Sequence, residues 1–231
     1  MSYQTIVDEL RTRLAPLGFD LVAPLQVGWY NAQVEQAYRL PDFGRSTSLA
    51  VIIANTRALW PRFLTAMVEQ PARLRVDDPL DTYTSEEIAG VIADLEIAAD
   101  VRFAYEDPPR RIAIQRLAHA AGLAYLSPTH LCIHETYGPW IGLRAGVTFN
   151  VPGPETPVEL ASPCSCANNC KQALESAVVG SDWRDWLRVR ESCPVGQEHR
   201  FCDEQIEYHY SKDRRLLRRA VAAHKQQPGS A

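Results

Sequence analysis

Between Trp140 and Val151 apolar residues alternate with small or polar ones without a break. Ile141, Leu143, Ala145, Val147, Phe149 and Val151 fall on one side; Trp140, Gly142, Arg144, Gly146, Thr148 and Asn150 fall on the other. Helical side chains repeat about every 3.6 residues, so a period-two pattern of this length predicts a long strand with one face on a core and Arg144 on the opposite face. A strand needs partners. Residues 48–56 (SLAVIIANT) form a short β-branched run suited to burial on both faces, and 100–106 alternates Val101, Phe103 and Tyr105.

Helical spacing interrupts these strands. Ile6, Val7, Leu10 and Leu14 predict an amphipathic helix over 5–15, with Gly18 where it would stop, and Leu59, Trp60, Phe63, Leu64, Met67 and Val68 predict another over 59–68. Ser85, Glu87 and Ile88 open a predicted helix reaching about Glu96, and 112–126 reads as a further one. After Pro152 the composition shifts: Pro154 and Pro157 break regular structure, a cysteine-rich loop follows, and polar helices run to the end. This predicts a mixed α and β core over 1–151 and a helical segment over 152–231 packed on it as one functional unit, with 152–163 as the connection. The last five or six residues are expected to be disordered.

With 46% hydrophobic and 23% charged residues the composition is that of a globular protein, and the net charge of −4 offers no general attraction to nucleic acid or anionic membrane. The longest apolar run, Leu49–Ala54, is too short for a bilayer, and Met-Ser-Tyr-Gln-Thr lacks the basic and apolar regions of an export signal. The expected location is the cytoplasm, where the six cysteines would stay reduced and serve as thiols, metal ligands or redox groups.

The chain has no G-x-G-x-x-G, no G-x-x-x-x-G-K-[ST], no H-E-x-x-H and no G-x-S-x-G, which removes most support for nucleotide hydrolysis, zincin and serine-hydrolase chemistry. Three features remain. His130, Cys132 and His134 are spaced to project from one face of a short strand; they would hold a metal between two imidazoles, or Cys132 is simply a small buried residue. Cys164, Cys166 and Cys170, followed by Cys193-Pro194 and Cys202, gather five cysteines in the last third, a number that serves zinc, an iron–sulfur cluster or a redox dithiol. Lys212, Arg214, Arg215, Arg218, Arg219 and Lys225 are interleaved with Leu216, Leu217 and Val221 on a predicted helix, a solvated face or a source of arginines for small-molecule carboxylates or phosphates.

Residues 17–31 (LGFDLVAPLQVGWYN) resemble the cobalamin-processing proteins of the cblC type. The resemblance continues through Asp78-Pro79-Leu80-Asp81, Ala118–Tyr125, Cys132-Ile133-His134, Gly138–Arg144 and Asp182–Trp186, in order over residues 5–220. It implies an α+β, nitroreductase-like (flavin reductase-like) fold, with an antiparallel sheet flanked by helices and a helical C-terminal cap. It also implies an enzyme that binds cobalamin with the dimethylbenzimidazole base off the cobalt and removes the upper ligand. Two chemistries accompany it: reductive decyanation with electrons from FMN or FAD, and dealkylation by glutathione thiolate. Trp29, Tyr30, His119, Gly122, Cys132, His134 and Trp140 are the implied corrinoid-binding residues, and Arg144, Arg184 and Arg215 the implied clamp for glutathione carboxylates. Partners would be cobalamin, a reductant and downstream cobalamin-dependent enzymes, with the protein a monomer or homodimer.

The chain departs from the animal pattern in a shorter loop between Tyr125 and Leu131, in lacking a proline-rich tail, and in the C-x-C-x-x-x-C run. Zinc or an iron–sulfur cluster at Cys164, Cys166, Cys170, Cys193 and Cys202 is the expectation that run adds, the latter as in epoxyqueuosine reductases and reductive dehalogenases. Competing expectations are a cobalamin chaperone without turnover, a corrinoid/iron–sulfur reductase, a flavin reductase, and an interaction protein built on structural zinc.

Overall fold

The computed structural model describes residues 1–164, 166 and 169–226; Ser165, Ala167, Asn168 and 227–231, the stretch where disorder is expected, lie outside the described residues. In chain order the helices and strands are α1 (Tyr3–Leu14), β1 (Leu21–Gln26), α2 (Val27–Asn31), β2 (Ser48–Asn55), α3 (Leu59–Glu69), α4 (Pro79–Ala93), β3 (Ala99–Phe103), α5 (Ile114–Ala120), β4 (Tyr125–Leu126), β5 (Cys132–Ile133), β6 (Gly142–Pro152), α6 (Asn169–Val179), α7 (Trp183–Glu191), α8 (Asp203–Ser211) and α9 (Arg214–Lys225). Four strands form an antiparallel sheet in the order β1-β2-β6-β3, and β4 pairs with β5 separately.

The sheet lies between two hydrophobic clusters, which is why every residue of β2 is buried. Leu49, Val51 and Ile53 join Val147 and Phe149 under α1, α3 and α4, while Ala50 and Ile52 face the layer built by α2 and α5. The C-terminal segment enters the first cluster directly, through Tyr208 of α8 and Leu217 and Ala220 of α9. Alternation along β2 therefore fills both faces, as β-branched side chains on a central strand do.

The long alternation in β6 holds only in part. Ile53 of β2 pairs with Ala145 and Ala54 pairs with Leu143, so Arg144 is the extra residue of a bulge. A bulge shifts the phase: Ala145, Val147 and Phe149 serve the first cluster, whereas Ile141 and Leu143 pack into the second. Arg144 is thereby buried.

Three further boundaries differ from the sequence expectation. Helix α4 begins at Pro79, ahead of Ser85, because the Asp78 side chain accepts from Asp81 N at 3.1 Å and Pro79 takes the first turn, where no backbone N–H is needed. The helix expected over 112–126 is only α5, ended by a turn in which Gly122 has φ +70°. The strand expected to carry His130, Cys132 and His134 shrinks to β5, with His130 at φ +61° in a turn, so the three side chains do not share a strand face.

Gly138 (φ +55°) and Gly196 (φ +69°) bring two loops into backbone contact: a Cβ on Gly138 would lie 1.8 Å from the Val195 carbonyl oxygen. Gly138→Ala is therefore expected to cost on the order of 2–4 kcal/mol of unfolding free energy. Gly44→Ala, also at positive φ but with nothing within 4 Å of the added Cβ, should show only the backbone strain of about 1–2 kcal/mol. Equal losses in urea denaturation of the two variants would contradict the close approach.

Candidate functional site

Where β6 begins, the end of the sheet opens into a cavity with about 1150 Å³ of empty space, its mouth included. Its apolar walls include Trp60 of α3, Leu80 of α4, Ile114 of α5, Leu131, Ile141 and Phe201. Arg144, Arg190 of α7, and Gln205, His209 and Tyr210 of α8 bring polar groups to the same space.

Arg144 and Arg190 give the cavity its electrostatic character. The Arg144 Nε donates to Asn55 Oδ1 at 2.6 Å, and Asn55 is fixed in turn by donating through Nδ2 to the Thr56 carbonyl at 2.7 Å. A Cβ on residue 142 would come within 2.6 Å of that Asn55 oxygen, so glycine there clears the path. Arg190 donates to the Pro139 carbonyl at 2.6 Å and lies over the rings of Trp140 (4.8 Å) and Phe201 (5.2 Å). Among the described residues neither guanidinium has a carboxylate in ion-pair contact. Burial lowers both, Arg144 to about 10 with Asp81 and Asp78 opposing from a distance, and a guanidinium in a protein keeps its charge at neutral pH. Two cations without contact counterions in one cavity make a receptor for an anion, above all a carboxylate.

The other polar groups fit that reading. Gln205 is buried and its Oε1 has no partner among the described residues, leaving an acceptor for a ligand N–H. Burial, with Arg144, Arg190 and Lys212 adding to it, pushes His209 down to about 3, so it is neutral at pH 7. Cys132 lines the cavity too, its thiol donating to the Gln115 carbonyl at 3.5 Å and pushed up to about 12 by burial; it is an apolar wall, not a nucleophile.

The structure brings some predicted residues together and scatters others. Arg144, Cys132 and His130 line the cavity. Trp140 is fully buried beside it against Phe201 and Arg190, its Nε1 without a partner among the described residues. Tyr30 is also fully buried, donating to the Tyr38 carbonyl at 2.8 Å and accepting from Ala113 N at 2.9 Å, and Trp29 packs beside it in the second cluster. His119 accepts from Leu126 N at 3.3 Å and Gly122 abuts Val158; both are away from the cavity wall. His134 holds its own turn by accepting from Thr136 N at 3.0 Å.

The three implied clamp arginines do not converge. Arg184 is exposed, paired with Asp182 and stacked over Trp183 at 4.6 Å, and Arg215 is exposed on α9. Arg190, on the same helix as Arg184, lines the cavity. Helical periodicity is the signal that picks it out: Trp183, Leu187 and Arg190 are spaced i, i+4, i+7 on the face of α7 turned inward, and Arg184 is not on that face. Gln205 and His209, four residues apart on α8, carry the same signal.

A second, smaller cavity of about 320 Å³ is lined by Cys164, Cys166, Cys170 and Cys193, with Ser127, Thr129, Leu131, Ile133, Pro194 and Val195. Cys202 does not join them: it precedes α8, is exposed, and lines a different depression beside His199. Burial pushes the Cys193 thiol up and the other three thiols add to the shift, while the Val195 backbone N–H, donating to its sulfur, pulls the other way. As placed, no three His, Cys, Asp or Glu side chains among the described residues form a metal-ligating group. No helix among them is long and apolar enough to cross a membrane.

An antiparallel sheet between helical layers, with a cationic cavity at its end closed by the C-terminal helices, places the molecule among nitroreductase-like α+β proteins. It is similar to a C. elegans B12-trafficking protein CblC, a human MMACHC homologue (TM-score 0.78, 21% identity, 95% of this chain and 96% of that one), and to an epoxyqueuosine reductase (TM-score 0.56, 11% identity, 95% and 80%). The chain belongs to the methylmalonic aciduria and homocystinuria type C family, whose model matches residues 18–218. Its relatives include cyanocobalamin reductase / alkylcobalamin dealkylase of Gallus gallus, 29% identical over 89% of this chain and 91% of that protein, and of Mus musculus, 30% identical over 87% and 76%.

The depressed His209 fixes a pH dependence. Between about 3 and the ordinary histidine value of 6.5 the unfolded chain binds a proton that the folded chain refuses. Its contribution to stability is complete above 6.5 and is lost as pH falls toward 3. His209→Gln should flatten the pH dependence of unfolding free energy in that window; an unchanged slope would mean the ring is protonated in the folded state.

Proposed function

We propose that this protein binds cobalamin with its lower base off the cobalt and removes the upper axial ligand, by reductive decyanation, thiol-dependent dealkylation, or both. The carrying observation is the cavity in which Arg144 and Arg190 stand buried and without contact counterions, in a chain aligned over nearly its whole length with proteins named for these two reactions.

In dealkylation the thiolate of glutathione attacks the upper alkyl carbon, a thioether forms, and the electron pair of the broken bond stays on cobalt. Glutathione carries two carboxylates and an ammonium. Arg144 and Arg190 are the groups to hold the carboxylates, and the Gln205 Oε1 is an acceptor for the ammonium. Neutral His209 adds no charge to compete for them. Cys132, Leu131, Ile141 and Phe201 supply water-excluding walls, which strengthen those charge contacts. In decyanation a reduced FMN or FAD would supply electrons to cobalt and cyanide would leave; the protein contributes position and a dry surface.

An anaerobic absorbance titration with cyanocobalamin and methylcobalamin, followed by reduced flavin or glutathione, tests the reading. A base-off spectrum that gives way to reduced cobalt is the expected result. A base-off spectrum that persists under both reductants would make the protein a carrier without turnover, and no shift with either corrinoid would overturn the proposal. Arg144→Ala should raise the KM for glutathione on the order of 10–100-fold, the worth of a charge-assisted contact, with a smaller change in kcat.

A further inference from the structure

Four cysteines from three places in the sequence line one small cavity that the cobalamin reading leaves unused. Cys164 and Cys166 come from chain outside helix or strand, Cys170 from the first turn of α6, and Cys193 from the loop after α7. Among the described residues no arginine, lysine or histidine lines it. Beyond the first turn of α6 at Cys170, none of the described surroundings supplies the neighbouring cation on which a reactive thiolate depends. A soft metal supplies its own positive charge, displaces the thiol protons to solvent, and is the occupant to which several converging thiols are suited.

The Cys193 loop adds an independent feature. In Cys193-Pro194-Val195-Gly196 the last residue takes the left-handed conformation with φ +69°. The same loop is fixed by the close backbone approach of Gly196 to Tyr137 and Gly138. Cys193 is thus held on a loop fixed by backbone contacts.

We propose that Cys164, Cys166, Cys170 and Cys193 form a four-thiolate site for a soft metal centre, either a zinc ion or an iron–sulfur cluster. Leu131 is a wall of both this cavity and the arginine cavity, so the centre would lie one side chain away from the ligand site. Zinc there is a clip that ties the chain ahead of α6 to the loop after α7; a cluster is also a route for electrons into the ligand site.

The test is metal content, in protein free of corrinoid, purified without oxygen, chelators or metal affinity resin. Zinc at about one per chain in a colourless protein identifies the clip. Iron with matching acid-labile sulfide in a brown protein identifies the cluster. In either case Cys166→Ser/Cys170→Ser should lower the metal content about tenfold or more while Cys202→Ser retains it. Wild-type protein that holds neither metal, and takes up neither added zinc nor ferrous iron with sulfide, overturns the proposal; so does a thiol count showing disulfides among the four. Because no corrinoid is present, either failure leaves the cobalamin reading standing.

Discussion

Arg144 is a cation that the sheet takes out of water with one direct side-chain partner. Moving a guanidinium into a protein interior costs roughly several kcal/mol, and a charge-assisted bond such as the one to Asn55 contributes about 1.5–3 kcal/mol in return. The more distant field of Asp78 and Asp81 offsets part of the difference. That arrangement depends on the bulge in β6, on the absence of a side chain at Gly142, and on the position of Asn55 at the end of the most buried strand. The central pairing of β2 with β6 builds the core and, at its last rung, presents an incompletely neutralised charge to a cavity.

The C-terminal segment completes that cavity. Arg190 reaches across to the Pro139 carbonyl between two aromatic rings, and the same helical segment sends Tyr208, Leu217 and Ala220 into the first cluster. The short motif Asp78-Pro79-Leu80-Asp81 has a mechanical role here as well. Asp78 caps α4, and both carboxylates lie near Lys212, 2.9 Å away for Asp78, so the start of α4 is joined to the junction of α8 and α9. A surface pair of that kind contributes little energy; its effect is on where α8 sits, and α8 carries Gln205 and His209.

Periodicity made most of the fold legible, because helices and central strands repeat their burial at fixed intervals. It was less informative wherever one residue changes the phase. No local signal announced the bulge at Arg144, since alternation continues across it in the sequence while the backbone turns over. The resemblance named Arg144, Arg184 and Arg215; the structure puts Arg144 in the cavity and leaves the other two exposed, while the inward face of α7, read from Trp183 and Leu187, brings Arg190 there. Tyr30 and His119 lie in conspicuous sequence contexts, and their hydrogen bonds show local structural tasks. The cysteines were visible as a number; that four share a cavity and Cys202 does not follows from the path of the loops.

The arginine cavity draws its walls from positions as far apart as Trp60 and Tyr210, and no contiguous stretch contains more than a fraction of them. A molecule seated there touches α3, α4, α5, α7 and α8 at once, so it acts as a noncovalent cross-link among them. By mass action, an occupant at a hundred times its dissociation constant adds about 2.7 kcal/mol to the folded state. Departure of the ligand would remove that increment from the folded state as a whole, so resistance to unfolding itself reports whether the cavity is filled.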